Sequence, residues 1–332
     1  MFSSVCVPLT DLSSVGEARR AGLRLSAALG FSEVKSGELG IIITEAARNA
    51  VVHAGSGQMV MSAFSYDHER RMDVLALDKG HGIQDLSRAM QDGFSTAGTP
   101  GSGLGAIQRL ASRLDLFSTS QGTALLAQVI ESGSPSAKQG PALGGIAVPV
   151  LGETLCGDGL AWSQKGDVMK VILVDGLGHG IDAAAAADEA KKTFHQYSQY
   201  GPAEIMARVH DALKKTRGAA AAIAEVRPLA GRLTYVGIGN ISGSVLSDGR
   251  CRNLVSHNGT LGHVMARLQE FTVEWPNDAI LIMHSDGIQS RWDLMQYPGL
   301  MARSPASIAG ILFRDFRRQR DDSSVVVVKG QN

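Results

Sequence analysis

Two residues four positions apart near the start of the chain could do phosphate chemistry. Glu45 and Asn49 fall on a predicted helix, so at about 100° per residue their side chains project from nearly the same face. A carboxylate and an amide placed in this way could reach one hydrated Mg²⁺, and Glu45 could also accept a proton from an attacking hydroxyl. Taken alone, this spacing is better explained by an exposed helix face.

Two glycine-rich motifs follow this pair along the chain. Asp78 ends a predicted strand just before Gly80 and Gly82, so its carboxylate could accept a hydrogen bond from an exocyclic amine such as that of adenine. The loop from Gly101 to Gly105 opens a predicted helix, whose free N–H groups favour phosphate. A tight turn explains the first motif equally well, and the second lacks the Gly-Lys-Ser/Thr of a Walker A loop. The order of the three motifs is therefore more informative than any one of them.

Aspartates dominate a separate set of motifs in the second half of the chain. Asp175, Asp286 and Asp321 each end or begin a strongly apolar predicted strand, and Asp158 lies upstream. Carboxylates gathered at one sheet edge would repel one another without a cation, and hard divalent cations prefer oxygen ligands. Two such ions can activate water and stabilise phosphoryl oxygens during in-line displacement. Each Asp-Gly alone would be a turn, but the group together predicts a metal site.

The composition is that of an ordinary globular chain long enough for two cores. It has 332 residues, 44% hydrophobic and 19% charged, with 32 basic and 32 acidic side chains. The balanced charge gives no field that would favour nucleic acid or an anionic membrane. Three widely spaced cysteines fit a reducing cytosol, and we expect no signal peptide, because residues 1–10 lack a basic stretch followed by an apolar run. The longest apolar runs are far shorter than the roughly 20 residues that span a bilayer. We therefore expect a cytoplasmic protein that binds neither nucleic acid nor membrane.

A segment rich in Gly, Pro and Ser separates the two sets of motifs. It predicts an N-terminal domain over residues 1–133, a linker over 134–142 and a C-terminal domain over 143–332. Hydrophobic periodicity predicts the following N-terminal helices and strands: helices Val15–Leu29, Glu38–His53 and Ala106–Leu114, and strands Met59–Phe64, Met72–Leu77 and Thr123–Ile130. The C-terminal part has many predicted strands and two helices. The fold class is α+β throughout.

The N-terminal motifs, in this order, resemble the nucleotide site of the histidine-kinase-like ATPases, the Bergerat fold, over residues 5–130. The stretch Glu38–Ala54 is most similar to the bacterial anti-sigma-factor serine kinases. The resemblance implies an α/β sandwich that binds ATP and Mg²⁺, with Glu45 as base, Asn49 on Mg²⁺ and Asp78 on adenine. It implies these ATP-binding residues: Asn49, Asp78, Gly80, Gly82, Gly101, Gly103, Leu104, Gly105 and Thr123. Residues 83–100 would form a lid over ATP.

The C-terminal motifs resemble the metal-dependent PPM/PP2C serine/threonine phosphatases, in particular the branch typified by the sporulation stage II protein E phosphatase, over residues 143–330. The resemblance implies a β-sandwich flanked by helices that holds two Mn²⁺ or Mg²⁺ ions. The metal ligands that it implies are Asp158, Asp175, Gly176, Asp286 and Asp321. Asp322 would lie behind these ligands; His179 could orient a ligand, although a structural role is the stronger reading. One arginine of a basic cluster at residues 314–320 could contact substrate phosphate.

Together, the two resemblances imply a bifunctional regulator of bacterial partner switching. The N-terminal half would phosphorylate serine or threonine on a small anti-sigma antagonist of the STAS type, and the C-terminal half would remove such a phosphate. An anti-sigma or sigma factor is a further candidate partner, and we allow for a homodimer. The alternative is a phosphatase whose N-terminal domain is only an ATP-dependent docking or sigma-factor-binding module.

Overall fold

The protein divides into two compact units. The computed structural model describes residues 2–66, 69–86, 103–131, 140–265 and 267–330. The first unit consists of Met1–Ser136 with Pro298–Arg314, and the second of Ala137–Tyr297 with Asp315–Asn332. Within the described ranges, no helix is long and apolar enough to cross a membrane.

The first unit is a five-stranded antiparallel sheet with two long helices on one face. In chain order its N-terminal elements are β1 (Phe2–Leu9), α1 (Leu12–Leu29), α2 (Glu33–Ala54), β2 (Gly57–Tyr66), β3 (Glu69–Leu77), α3 (Gly103–Leu110), β4 (Arg113–Thr119) and β5 (Gly122–Ile130). The strand order is β1-β2-β3-β5-β4. The α2 helix packs against this sheet through apolar residues at helical spacing, from Leu39 to Ala50. Because these residues lie on one face, the opposite face of α2 can carry polar groups.

Local sequence fixes the ends of both long helices. Asp11 caps α1 by accepting hydrogen bonds from the N–H groups of Ser13 and Ser14, and Ser32 caps α2 through the N–H of Lys35. Each helix ends at a glycine with positive φ, Gly30 at 73° and Gly55 at 78°. The α2 helix therefore ends at Gly55, and β2 begins two residues later at Gly57.

The sequence prediction differs from the N-terminal elements of this unit at two places. The predicted helix Ala106–Leu114 is wrong beyond Leu110, because Arg113–Thr119 pairs with β5 as a strand, Leu114 lying opposite Ala127. The spacing of apolar residues here fits a helix, and tertiary pairing overrides it. Strand β1, which lies at the sheet edge beside β2, was also not predicted.

In its described residues, the second unit contains two five-stranded antiparallel sheets, a two-stranded sheet and two α-helices. Its elements are β6 (Ala142–Val148), β7 (Asp158–Lys165), β8 (Val168–Gly176), α4 (Ile181–Gln196), α5 (Pro202–Ala212), β9 (Ala219–Arg227), β10 (Arg232–Ile238), β11 (Ser242–Ser247), β12 (Arg250–Leu254), β13 (Gly259–Thr260), β14 (Val264–Met265), β15 (Phe271–Glu274), β16 (Ile280–His284) and β17 (Ser323–Lys329). The strand orders are β15-β10-β9-β8-β7 and β12-β11-β16-β17-β6, and β13 pairs with β14. The helices α4 and α5 pack together, α4 against β7 and β8. This confirms the predicted arrangement of sheets flanked by helices.

A helix near the end of the chain packs in the first unit. The helix α6 (Pro305–Phe316) is buried at every position from Pro305 to Arg314, and a Cβ on Gly310 would lie 3.1 Å from Leu77 Cδ2. Side chains alternate along a strand, so Leu75 and Leu77 of β3 face away from Val74 and Ala76, which belong to the helix-covered core. The α6 helix therefore covers the other face of the N-terminal sheet. The sequence reading did not predict this helix.

Asp115 ties the segment Pro298–Arg314 to β4. Its Oδ2 accepts hydrogen bonds from the Ser304 N–H and the Ser307 hydroxyl, both at 2.8 Å. Burial would raise the pKa of Asp115, but these hydrogen bonds and Arg303 outweigh burial, and the pKa is lowered. A carboxylate stabilised in this way favours the folded state at neutral pH, and the contribution is lost as the pH falls through the lowered pKa.

We expect Asp115→Asn to destabilise the first unit by about 1–3 kcal/mol at pH 7, because it weakens acceptors for two buried donors. Chemical denaturation at pH 7 and at acidic pH measures the effect. The difference from the parent chain should shrink at acidic pH, where Asp115 itself becomes protonated. An equal difference at both pH values would contradict the role of the charge.

Two candidate phosphate sites

The first candidate site lies on the polar face of α2. Glu45 and Asn49 are half-buried, and both approach Gly103 at the start of α3. A Cβ on Gly103 would lie 2.8 Å from Glu45 Oε2 and 3.7 Å from both polar atoms of the Asn49 amide. A side chain at position 103 would therefore crowd the two polar groups. The structure brings together the helix pair and the second glycine motif, as the sequence predicts.

Asp78 belongs to the same candidate site and lies on the loop that directly follows β3. Its Oδ1 accepts hydrogen bonds from the N–H groups of Gly80 at 2.9 Å and Thr123 at 3.2 Å. Burial raises the pKa of Asp78. Both hydrogen bonds are accepted by Oδ1, so Oδ2 can accept a hydrogen bond from the amine of a ligand.

Two glycines let the backbone close around Asp78. Gly82 has a φ of 75°, and a Cβ there would lie 2.0 Å from the Thr119 carbonyl oxygen. Gly122 has a φ of 126°, and a Cβ there would lie 2.1 Å from the Asp78 carbonyl oxygen. Both positions require glycine for conformation and for space. Gly80 also belongs to this loop, since a Cβ there would lie 2.6 Å from the Ala54 Cβ.

The remaining predicted residues of this site lie on neighbouring elements or outside the described ranges. Leu104 and Gly105 belong to the first turn of α3, and Thr123 lies at the start of β5, where its hydroxyl pairs with that of Ser118 at 3.0 Å. Gly101 and most of the predicted lid, from residue 87 onward, lie outside the described residues.

The second candidate site is built at the ends of strands in the second unit. Asp158 and Asp175 are direct partners in the β7–β8 ladder. Asp158 is buried and accepts a hydrogen bond from the Ser285 hydroxyl at 2.6 Å. Burial, followed by the nearby Asp175, raises its pKa well above the usual range. Burial and the charge of Asp286 also raise the pKa of Asp175, to about 7.

An amide that the sequence reading missed joins two of these aspartates. Asn240 Nδ2 donates to Asp175 Oδ2 at 3.2 Å and to Asp286 Oδ2 at 2.9 Å. Asn240 follows β10, in the Gly-Ile-Gly-Asn turn that sequence analysis did not connect with the site. The sequence feature that could have identified Asn240 is its position at the end of a strand, where the aspartates of this site also lie.

Glycines hold the backbone close to the aspartates. A Cβ on Gly176 would lie 2.3 Å from the Ala183 carbonyl oxygen in the first turn of α4, so the end of β8 fits against that helix only as glycine. A Cβ on Gly287 would lie 1.9 Å from the Asp322 carbonyl oxygen. The backbone after Asp175 and the backbone after Asp286 are thereby fixed by close packing.

Asp321 and Asp322 have different environments although they are adjacent. Asp322 is buried, and its two oxygens accept hydrogen bonds from the N–H groups of Val150 at 2.7 Å and Gly157 at 2.6 Å. Asp321 is only half-buried, and burial followed by the charge of Asp286 raises its pKa. Asp322 thus ties the loop before β7 to the start of β17, while Asp321 remains accessible.

The predicted histidine contacts a glutamate, and its charge also acts on Asp321. His179 is exposed, and its Nδ1 lies 3.0 Å from Glu153 Oε1 on the loop that precedes β7. This contact joins two surface loops beside the carboxylates.

A surface pocket also touches this site, lined by Asp286, Arg318, Gln319, Arg320 and Asp321. It places two guanidinium groups of the predicted basic cluster next to two of the predicted metal ligands. Guanidinium is well suited to bind phosphate oxygens.

The donor set suits divalent cations that retain water. Across the described residues, no three His, Cys, Asp or Glu side chains are gathered closely enough to hold an ion by themselves. Mg²⁺ usually takes only one or two carboxylates and keeps several waters, so the Asp175 and Asp286 pair meets its requirement. Burial, followed by the charge of Asp286, raises the pKa of Asp175 and of Asp321, and a bound cation would offset both effects. The residues present therefore fit a divalent metal.

We expect Asn240→Ala to weaken Mn²⁺ binding by about 10- to 100-fold, because groups that orient metal ligands typically contribute that much. Calorimetric titration with Mn²⁺ measures the change. Asn253→Ala, which removes an amide from β12 in the same unit, is the matched control and should leave the affinity unchanged. Equal affinities in the parent chain and Asn240→Ala would contradict a positioning role.

The fold places a histidine-kinase-like ATPase domain before a PPM-type protein serine/threonine phosphatase domain in one chain. The model described as a histidine kinase-like ATPase domain matches residues 9–129. The model described as Stage II sporulation protein E (SpoIIE) matches residues 165–331. The chain belongs to the SpoIIE family and joins that phosphatase domain to an RsbT-like kinase domain.

Two curated relatives match the two halves separately. The serine/threonine-protein kinase RsbT of Bacillus subtilis (strain 168) is 33% identical over 128 residues, which are 38% of this chain and 96% of that protein. The phosphoserine phosphatase RsbX of the same organism is 26% identical over 140 residues, which are 41% of this chain and 69% of that protein.

A solved structure also shares the fold of part of the chain. It comes from work on the bacterial stressosome as a modular system adapted to control secondary messenger signalling. The similarity has a TM-score of 0.54 at 26% identity and covers 57% of this chain and 99% of the solved one.

Proposed function

We propose that this protein is a bifunctional regulator of bacterial partner switching. The first unit transfers the γ-phosphoryl group of ATP to a serine or threonine of a small STAS-type antagonist protein, and the second unit hydrolyses a phosphoserine of such a protein. The observation that carries this proposal is the presence, in one chain, of a Glu45–Asn49 pair against Gly103 and a separate aspartate cluster bridged by Asn240. Similarity to the kinase RsbT and the phosphatase RsbX supports it.

In the kinase reaction, the residues of the first unit bind and orient the reactants. The free oxygen of Asp78 accepts a hydrogen bond from adenine, and the N–H groups at the start of α3 bind phosphate. Asn49 would hold Mg²⁺, which neutralises charge on the phosphates when bound. Glu45 takes the proton from the attacking hydroxyl. Phosphoryl transfer needs little more than this positioning and one base.

In the phosphatase reaction, the aspartates of the second unit would hold Mn²⁺ or Mg²⁺. The ligands would be the carboxylates of Asp175, Asp286 and Asp321 and the carbonyl of Gly176. Asp158, the cross-strand partner of Asp175, would add a further carboxylate, which accepts a hydrogen bond from Ser285. Bound divalent ions supply an activated water and stabilise the phosphoryl oxygens. Arg318 and Arg320 orient the phosphate from the neighbouring pocket. Asp322 holds the preceding loop in place.

The partners and compartment follow from the same proposal. The substrate is a STAS-type antagonist, with an anti-sigma or sigma factor as a further partner and a homodimer as a further assembly. The three cysteines form no disulfide within the described part of the chain, which fits a reducing cytoplasm.

The test is to follow radiolabelled γ-phosphate in a mixture of the full chain, ATP, Mg²⁺ or Mn²⁺ and a purified STAS-type protein. Label should enter the STAS-type protein on serine or threonine, and it should be released as inorganic phosphate after ATP is removed. If label neither enters nor leaves serine or threonine on any STAS-type protein offered, the proposal is wrong.

A further inference from the structure

Four exposed apolar side chains lie on two short segments beside the phosphatase aspartates, one before β7 and one that runs from the end of β8 to the first residue of α4. They are Leu151, Leu155, Leu177 and Ile181, with exposed fractions of 85%, 46%, 46% and 72%. We call them the apolar rim. Single exposed apolar residues are ordinary on protein surfaces, but a cluster of them next to a polar site marks a binding surface.

The two segments of the rim are held together. Leu151 and Leu155 flank Glu153, and Leu177 and Ile181 flank His179; Glu153 and His179 are in contact at 3.0 Å. The first segment is also fixed at both ends, because Asp322 accepts hydrogen bonds from Val150 and Gly157. The rim is therefore one surface on a supported backbone rather than two independent segments.

The rim adjoins the aspartates closely. Leu177 follows Asp175 by two residues, so their Cα atoms are at most about 7 Å apart, and Leu155 precedes Asp158 by three, at most about 11 Å. A phosphate on the aspartate site would bring the atoms that carry it close to these side chains. A small phosphate ester would leave the rim uncovered, whereas a polypeptide would cover it with the residues that flank its phosphoserine.

We propose that the apolar rim is the docking surface for the substrate of the phosphatase unit, and that this substrate is a polypeptide with apolar side chains within a few residues of its phosphoserine. This inference rests on the proposed phosphatase function. Apolar contacts surrounded by polar groups are the usual anatomy of a protein interface, and here Glu153–His179 and Arg217–Asp182, at 2.8 Å, supply polar pairs. The rim selects the substrate, while the aspartates carry out hydrolysis.

The experiment compares the full chain with Leu151→Ser/Ile181→Ser, two positions outside the metal site. The probes are para-nitrophenyl phosphate and two phosphoserine peptides of equal length, one with leucines and one with serines flanking the phosphoserine. Leu229→Ser is the matched control, because Leu229 is 89% exposed and lies on the turn between β9 and β10.

The parent chain should hydrolyse the leucine-flanked peptide with a kcat/KM at least about tenfold higher than the serine-flanked one, since each buried leucine contributes substantially to binding. The double variant should lose most of this preference and keep hydrolysis of para-nitrophenyl phosphate within about twofold. The control should behave as the parent chain does.

Three outcomes separate the rim from the proposed function. No preference in the parent chain, or a preference that survives in the double variant, would overturn the docking role. A change of oligomeric state in the double variant, seen by light scattering and without loss of peptide preference, would assign the rim to a second copy of the chain instead. Absence of hydrolysis of all three probes by the parent chain with Mn²⁺ would refute the phosphatase function itself.

Discussion

Asp175→Asn is expected to abolish phosphatase activity while leaving the protein folded. Asp175 accepts a hydrogen bond from Asn240 beside Asp286, and burial with the charge of Asp286 raises its pKa to about 7. Asparagine keeps the size of the side chain but removes the charge that would bind a divalent ion. Loss of several kcal/mol of transition-state stabilisation corresponds to a decrease of at least about a thousandfold in kcat/KM. Phosphate release from para-nitrophenyl phosphate in Mn²⁺ measures it.

The stability of the variant separates a metal ligand from a structural residue. Removing one of several repelling carboxylates should leave the melting temperature without Mn²⁺ unchanged or higher, and should remove the stabilisation that Mn²⁺ gives to the parent chain. Asp188→Asn, on the exposed surface of α4, is the matched control and should retain activity. Full activity in Asp175→Asn would contradict the assignment, and a lower melting temperature without metal would point to a structural role.

Glu45→Ala is expected to abolish phosphorylation of a STAS-type protein while the chain still binds ATP. Glu45 is half-buried beside Gly103 and Asn49, whereas the adenine contact is assigned to Asp78 on another loop. Loss of a general base costs about 10²- to 10⁴-fold in rate. The measurement is incorporation of labelled phosphate, made in the Asp175→Asn background so that the phosphatase does not remove the label. Binding of a fluorescent ATP analogue is measured in parallel.

Phosphate incorporation and ATP-analogue binding together also distinguish a kinase from a domain that only docks a partner in the presence of ATP. Glu33→Ala changes a glutamate in the first turn of the same helix and should leave both phosphorylation and binding nearly unchanged. A parent chain that binds ATP and the STAS-type protein but transfers no phosphate would support the docking alternative. Equal phosphorylation by the parent chain and Glu45→Ala would refute the role of Glu45 as base.

Much of the fold could be predicted because local signals agree with tertiary pairing. The helices α1 and α2 have caps, glycine stops and apolar faces that the sequence shows directly. The strands β3 and β17 are apolar runs that end or begin at aspartates. Where pairing decides against local periodicity, as at Arg113–Thr119, the prediction is wrong. The α6 helix is buried at each position from Pro305 to Arg314, its polar residues Ser307 and Arg314 included, so tertiary packing and not its own periodicity decides its burial.

The sequence by itself predicted a chemistry for each site, because the order of Glu45, Asn49 and Asp78, and of the aspartates at strand ends, depends on residue type and spacing alone. Only the tertiary structure decided which groups meet. Asn240 reaches Asp175 and Asp286 because the turn after β10 lies beside the ends of β8 and β16, 65 and 46 residues away along the chain. Likewise, the fold brings Glu153 into contact with His179, 26 residues away along the chain. This contact joins the two segments that carry the apolar rim. Sheet pairing brings distant strand ends together, and no local pattern records which ends those are.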